Sequence, residues 1–198
     1  MAKLMNWPYF SQKLDQKKIK IFSPFDLKRL FGVSETSIRF FLHRYTKKGY
    51  IKKLKRGLYC LSNQPPNDYY LANKLYEPSY ISFEQALSYY HIIPETVYTI
   101  TSATSKATRE FECLGKSFYY HRVKKSLFFG YKQKIFSNQI ILMARAEKAF
   151  VDYLYFVSLK KKKMLDRFDK NKINKDKVMK LARVYKNKKI KELIIKYL

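Results

Sequence analysis

The spacing of apolar positions divides the chain into stretches of helical and of strand period. Leu27, Leu30 and Phe31 share one face of a short helix over 25–31, and Gly32 follows where a sharp turn needs positive φ. Ser34 stands where an N-cap belongs, its hydroxyl placed to accept the N–H of Ser37. Ile38, Phe41, Leu42 and Tyr45 then recur at i, i+3, i+4 and i+7, a single apolar stripe on a second helix that Gly49 closes. Lys47 and Lys48 in its last turn suit the negative end of the helix dipole. Beyond it, 50–54 and 58–61 read as two short β segments around the basic turn Lys55-Arg56-Gly57, a hairpin wing. An opening helix over 2–20 has Leu4, Trp7, Phe10 and Leu14 as its stripe and Pro8 in its first turns, where proline is tolerated. It supplies the third helix of a winged helix-turn-helix.

Polar residues and a proline pair from Ser62 to Asn67 mark a boundary. The expected organisation is a winged helix-turn-helix DNA-binding domain over 1–63 and a mixed α+β domain over 67–198 that ends in basic helices from about 160. In the second domain a helix over 68–75 ends at Pro78. Ser82 caps another, with Phe83, Leu87 and Tyr90 on one side, ending before Pro94. Residues 97–102, 111–114, 117–123, 127–132 and 139–143 are β-rich and broken by Gly115, Gly130 and Asn138. Helical period returns over 144–159, with Ala146, Ala149, Phe150, Tyr153, Leu154 and Val157 inside. From about 160 to 198 the chain is basic but still periodic. Asn174 precedes a helix with Val178, Leu181, Ala182 and Tyr185 inward, and Asn187 one with Ile190, Leu193, Ile194 and Tyr197 inward. The fold class is therefore α+β: an N-terminal winged helix-turn-helix, then a mixed, mostly antiparallel α+β domain ending in basic amphipathic helices.

Charge sharpens this picture through its distribution. The 198 residues carry 42 Lys and Arg against 15 Asp and Glu, a net +27. Residues 1–63 hold a surplus of 12 positive charges, 64–158 only 3, and 159–198 again 12. Two basic ends around a nearly balanced middle suit polyanion binding better than general solubility. Lys far outnumbers Arg alongside many Ile, Asn and Tyr, the usage of an AT-rich genome, so the total says less than its placement.

With the second helix's stripe inward, Thr36, Ser37, Arg39, Phe40, His43, Arg44 and Lys47 point outward. Hydroxyls at the helix start and cations along it suit a helix laid in a DNA major groove, and Lys53, Lys55 and Arg56 on the wing point towards the neighbouring phosphates or the minor groove. The candidate DNA-binding residues are Ser34, Thr36, Ser37, Arg39, His43, Arg44, Lys47, Lys53, Lys55 and Arg56. A helix-turn-helix used for protein docking, with a solvated basic face, is the alternative.

No catalytic constellation emerges. His43, His91 and His121 have no metal-binding spacing, and neither a Gly-rich phosphate loop nor a GxSxG elbow occurs. Glu110, Glu112 and Lys116 faintly resemble a nuclease metal site, which cross-strand surface charges explain as well. Cys60 and Cys113 lie in strand-like runs and read as reduced, buried small hydrophobes. The sequence shows no signal-like leader and no run of about 18 apolar residues, so a cytoplasmic protein without a membrane span is expected.

Several segments resemble AbiEi-like antitoxins, transcriptional regulators of type IV (abortive-infection) toxin–antitoxin systems. Tyr80-Ile81-Ser82 through Pro94-Glu95 resembles their YIS-E-AL-YYGLIPE segment, with His91 where the family has glycine. Val97 to Thr104 with Lys106 and Arg109, then Leu127 to Tyr131, continue the similarity. So do Ala144 to Asp152, like the A-pEKAllD stretch, and Lys55-Arg56-Gly57-Leu58-Tyr59, like the end of the family's winged helix. The resemblance implies a non-enzymatic protein without cofactors. Its winged helix binds double-stranded DNA of its own promoter and represses it; the expected site is an inverted repeat met by two copies or by a dimer, the chain being a monomer or weak dimer that is dimeric on DNA. Its C-terminal part counteracts a nucleotidyltransferase-like toxin without a stable complex. Two other readings stay open: a winged-helix transcription factor sensing a small ligand, and an RNA- or DNA-acting protein with a cryptic nuclease-like middle domain.

Overall fold

The computed structural model describes residues 6–198, and the chain divides into two compact units, one ending at Asn67 and the other starting at Asp68. In the N-terminal unit α1 spans Trp7–Gln16, shorter than the expected 2–20; Leu4 lies outside the described residues. Asn6 caps α1 by accepting the Tyr9 N–H at 3.0 Å, and Pro8 occupies its first turn, where no intrahelical donor is lost. The chain then forms β1 (Ile21–Phe22), α2 (Pro24–Phe31), α3 (Glu35–Lys47), β2 (Ile51–Lys55) and β3 (Leu58–Leu61). The hairpin of β2 and β3 is joined by β1, which pairs antiparallel with β3, so the wing is a three-stranded sheet in the order β1-β3-β2. A two-residue strand leaves no periodicity to read. Phe10, Leu14, Phe22, Leu27, Ile38, Phe41, Leu42 and Ile51 form one core, and Trp7 stacks on Tyr45 and Tyr50 at its edge.

The C-terminal unit is built on a six-stranded sheet. Its elements are α4 (Asp68–Leu75), β4 (Ser79–Ile81), α5 (Phe83–Tyr89), β5 (Ile100–Thr104), β6 (Arg109–Cys113), β7 (Lys116–Arg122), β8 (Tyr131–Phe136), β9 (Gln139–Ala144), α6 (Ala146–Ser158), α7 (Lys175–Val184) and α8 (Lys188–Tyr197). The strand order is β6-β7-β5-β4-β9-β8, antiparallel except for the β5–β7 and β4–β9 pairs, which run parallel.

Two strands begin later than expected. The strand predicted over 97–102 begins at Ile100, and that over 127–132 begins at Tyr131 after a single 3-10 turn at Lys125–Leu127. β4 was not foreseen, since three buried residues between Pro78 and Ser82 show no alternation. Ser82 occupies the N-cap position of α5 without capping it: its hydroxyl donates instead to Asp152 at 2.8 Å.

That last bond belongs to a buried polar cluster. Lys148 and Asp152, one turn apart on α6, are both fully buried and form an ion pair. Lys148 Nζ also donates to Tyr80 Oη at 2.9 Å and Tyr185 Oη at 2.6 Å, and the Tyr80 hydroxyl donates to Asp152 Oδ2 at 3.0 Å. Burial pushes the Lys148 ammonium down from its usual pKa, and Asp152 opposes that shift. A Cβ at Gly130 would lie 3.0 Å from the Lys148 methylenes, so this glycine, at φ +76°, gives the lysine stem its passage. The segments Tyr80–Ser82, Leu127–Tyr131 and Ala144–Asp152 thus meet at one point and tie α6 to β4 and to the end of α7.

Candidate nucleic-acid interface

The site is assembled by two capped helices. At Ser23 a capping box opens α2: Ser23 Oγ accepts the Asp26 N–H at 3.2 Å, and Asp26 accepts the Ser23 N–H at 2.9 Å. Gly32, at φ +65°, ends α2 and turns the chain into α3. Ser34 then caps α3, accepting the Ser37 N–H at 3.2 Å, as its position in the sequence implied. At the other end the Gly49 and Tyr50 N–H groups return to the Thr46 and Tyr45 carbonyls, with Gly49 at φ +77°.

Because Ile38, Phe41 and Leu42 are buried, helical geometry fixes what faces out. Thr36, Phe40, His43 and Lys47 form the central outward stripe. Arg39 lies on one flank of it, and Ser37 and Arg44 on the other. All seven are exposed. Ser34 and Ser37 are also exposed but share a 2.9 Å hydrogen bond, so capping occupies one of their lone pairs. On the wing, Lys53 and Arg56 are exposed and Lys55 is half-buried.

Arg39, His43, Lys47 and Lys53 come together along a groove of about 820 Å³ between α3 and the wing. Arg44 does not line it, so the ten candidate residues divide between the groove and the far flank of α3. Sequence reading assigned neither Phe25, Lys28, Glu35 and Tyr59 nor Pro24 and Thr46 to this groove. Phe25 was legible, since it stands off the Leu27–Leu30–Phe31 face. The ion pair of Lys28 and Glu35 at 2.8 Å was not, because it joins two helices. It holds the Glu35 carboxyl below its usual pKa. Glu35 is the one carboxylate on α3, and this pair neutralises it.

In the C-terminal unit, Glu110 and Glu112 are exposed on β6, opposite Tyr119 and Ser117, and Lys116 pairs with Asp68 on α4. Among the described residues no group of three His, Cys, Asp or Glu side chains could hold a metal ion. No described helix is long and apolar enough to cross a membrane. Cys60 and Cys113 are buried. His121 sits among Phe83, Tyr119 and Phe156, and burial lowers its pKa to about 3, helped by Lys162 and Lys161.

No curated protein matches the chain. Residues 11–62, which run from within α1 through the wing, match the family described as the transcriptional regulator, AbiEi antitoxin. Over that stretch, about a quarter of its length, the chain is similar to AbiEi antitoxin transcriptional regulators.

Proposed function

We propose that the protein represses its own operon by binding DNA through the N-terminal unit and acts as the antitoxin of a type IV toxin–antitoxin pair. The observation that carries this reading is the outward face of α3, where Arg39, His43, Arg44 and Lys47 are exposed beside a cationic wing, on a stretch inside the family match. Arg39 and Arg44 splay to either side of the central stripe, as side chains reaching successive base edges would. Lys47, Lys53, Lys55 and Arg56 supply phosphate contacts. The site is an inverted repeat engaged by two copies, matching the symmetry of a pair of proteins. The C-terminal unit opposes a nucleotidyltransferase-like toxin without a stable complex and without catalysis of its own.

A protection footprint on the DNA upstream of the protein's coding sequence tests the repressor half. A symmetric footprint that Arg39→Ala and Arg44→Ala erase is expected; none at low salt means the reading is wrong. The antitoxin half is tested by co-expressing the chain with a neighbouring nucleotidyltransferase-like frame. Growth should be rescued although the two proteins do not co-purify.

A cleft of about 730 Å³ in the C-terminal unit, lined by Tyr98, Tyr119, Tyr153, Lys162 and Arg167, favours a second reading as a ligand-sensing regulator. Release of the footprint by a metabolite extract would point to it.

A further inference from the structure

At the centre of the cationic face of α3 stands an apolar ring. Phe40 is 68% exposed and, among the described residues, has no aromatic partner and no cation over its face. It lies on the face of α3 opposite the buried stripe, one turn after Thr36 and flanked by Arg39, His43 and Arg44. A ring left this exposed adds little burial energy to the monomer. Its surroundings also speak to its occupant. The face carries no uncompensated carboxylate, since Glu35 is tied to Lys28, so its charge complements a polyanion rather than an apolar protein surface.

The thymine 5-methyl is the apolar group that a duplex presents in its major groove, and a Phe ring or a Thr methyl is suited to meet it. Thr36 and Phe40 lie about 6 Å apart along the helix axis, roughly two base-pair steps. The geometry points to Phe40 as a specificity-determining residue that reads a thymine methyl in each half-site, with the Thr36 methyl against a neighbouring step. This inference rests on the DNA-binding reading above and deepens it: the recognised half-site contains an A·T pair at the centre of the α3 footprint, selected by its methyl group. Arg39 and Arg44 then read guanines or phosphates on either side of it.

The test uses the full-length chain and the duplex footprinted upstream of its own coding sequence, synthesised with deoxyuridine in place of one thymidine at a time. Deoxyuridine keeps the base pair and removes only the methyl. Wild-type affinity is expected to fall about fourfold per half-site at one or two positions, the worth of one buried methyl group. Phe40→Ala, on an exposed position and so folding normally, should bind the thymine duplex about as weakly as wild type binds the uracil one, and should be indifferent to the replacement. If wild type binds the duplex but no deoxyuridine position matters, or Phe40→Ala retains the full methyl effect, the inference is overturned while DNA binding stands. If neither protein binds any duplex and Phe40→Ala instead disrupts a protein complex, both the inference and the DNA reading fall.

Discussion

Lys148 enters the interior of the C-terminal unit one turn before Asp152, with no solvent access for either. Two buried charges are tolerated because each is fully hydrogen-bonded, to Tyr80, Ser82 and Tyr185 as well as to one another. Asp152→Ala would strand the ammonium and should cost about 3–5 kcal/mol in urea unfolding, whereas Lys148→Met combined with Asp152→Leu should recover most of it. A loss under about 1 kcal/mol for the single change would mean the pair is not structural. The apolar spacing of α6 marked its buried face, but not that a lysine and an aspartate shared it, since period alone cannot distinguish a paired charge from a solvated one. His91 is the opposite case. It stands at φ +54°, closing α5 through the His91 and Ile92 N–H groups as a glycine does, with Lys172 on its carbonyl. His91→Gly relieves that backbone and should add about 1 kcal/mol of stability by chemical denaturation. His121 supplies the acid sensitivity. Its pKa in the folded protein, about 3, lies below the unfolded value near 6.5. The unfolded chain therefore binds the extra proton first, and the contribution of His121 to stability is constant above about pH 6.5 and declines as pH falls from there towards 3. The slope approaches 1.4 kcal/mol per pH unit at most, and His121→Phe should flatten it in melts between pH 4 and 7.

At the scale of elements, capping determined what could be read in advance. Ser34, Gly32 and Gly49 fix the ends of α2 and α3 through local hydrogen bonds, and those ends were legible to within a residue or two. β1 and β4 were not, because strands of two and three residues exist only through the neighbours they pair with. The same holds for the groove, whose Lys28–Glu35 and Lys53–Tyr59 walls come from different elements. This division shapes the expected mutational behaviour of α3 and the wing. Arg39→Ala or Arg44→Ala should narrow the gap between operator and scrambled DNA by about 1–3 kcal/mol each. Lys53→Ala and Arg56→Ala should weaken both duplexes alike and reduce the slope of log affinity against log salt by about 1 per copy. Titrations from low to moderate salt distinguish the two classes. If all four variants bind both duplexes like wild type, α3 is not the reading head.

For the molecule as a whole, the positive charge at the C-terminal end raises the question of whether residues 159–198 are an arm or part of the fold. Their sequence carries both signals, a surplus of 12 positive charges and a helical apolar period. The period wins. Val178, Ala182, Tyr185, Ile190 and Ile194 are all buried in contact with the same unit, and the Tyr185 hydroxyl closes the Lys148–Asp152 cluster. Asn174 and Asn187 cap the two helices through their side chains, each accepting a backbone N–H at 3.0 Å. Lys180, Arg183, Lys188, Lys189, Lys191 and Lys196 all project to solvent on the opposite faces. Stability should therefore depend on the greasy positions and be nearly blind to the charged ones. Ile194→Ala removes a fully buried side chain and should cost about 2–5 kcal/mol, with hydrogen exchange of the α6 amides accelerating to match. Replacing Lys188, Lys189 and Lys191 together by Gln should leave the denaturation midpoint within about 0.5 kcal/mol of wild type. A disordered polybasic arm would not give the Ile194→Ala response, so an Ile194→Ala protein with unchanged α6 protection would remove the tail from the folded unit and return its charge to the status of a loose tether.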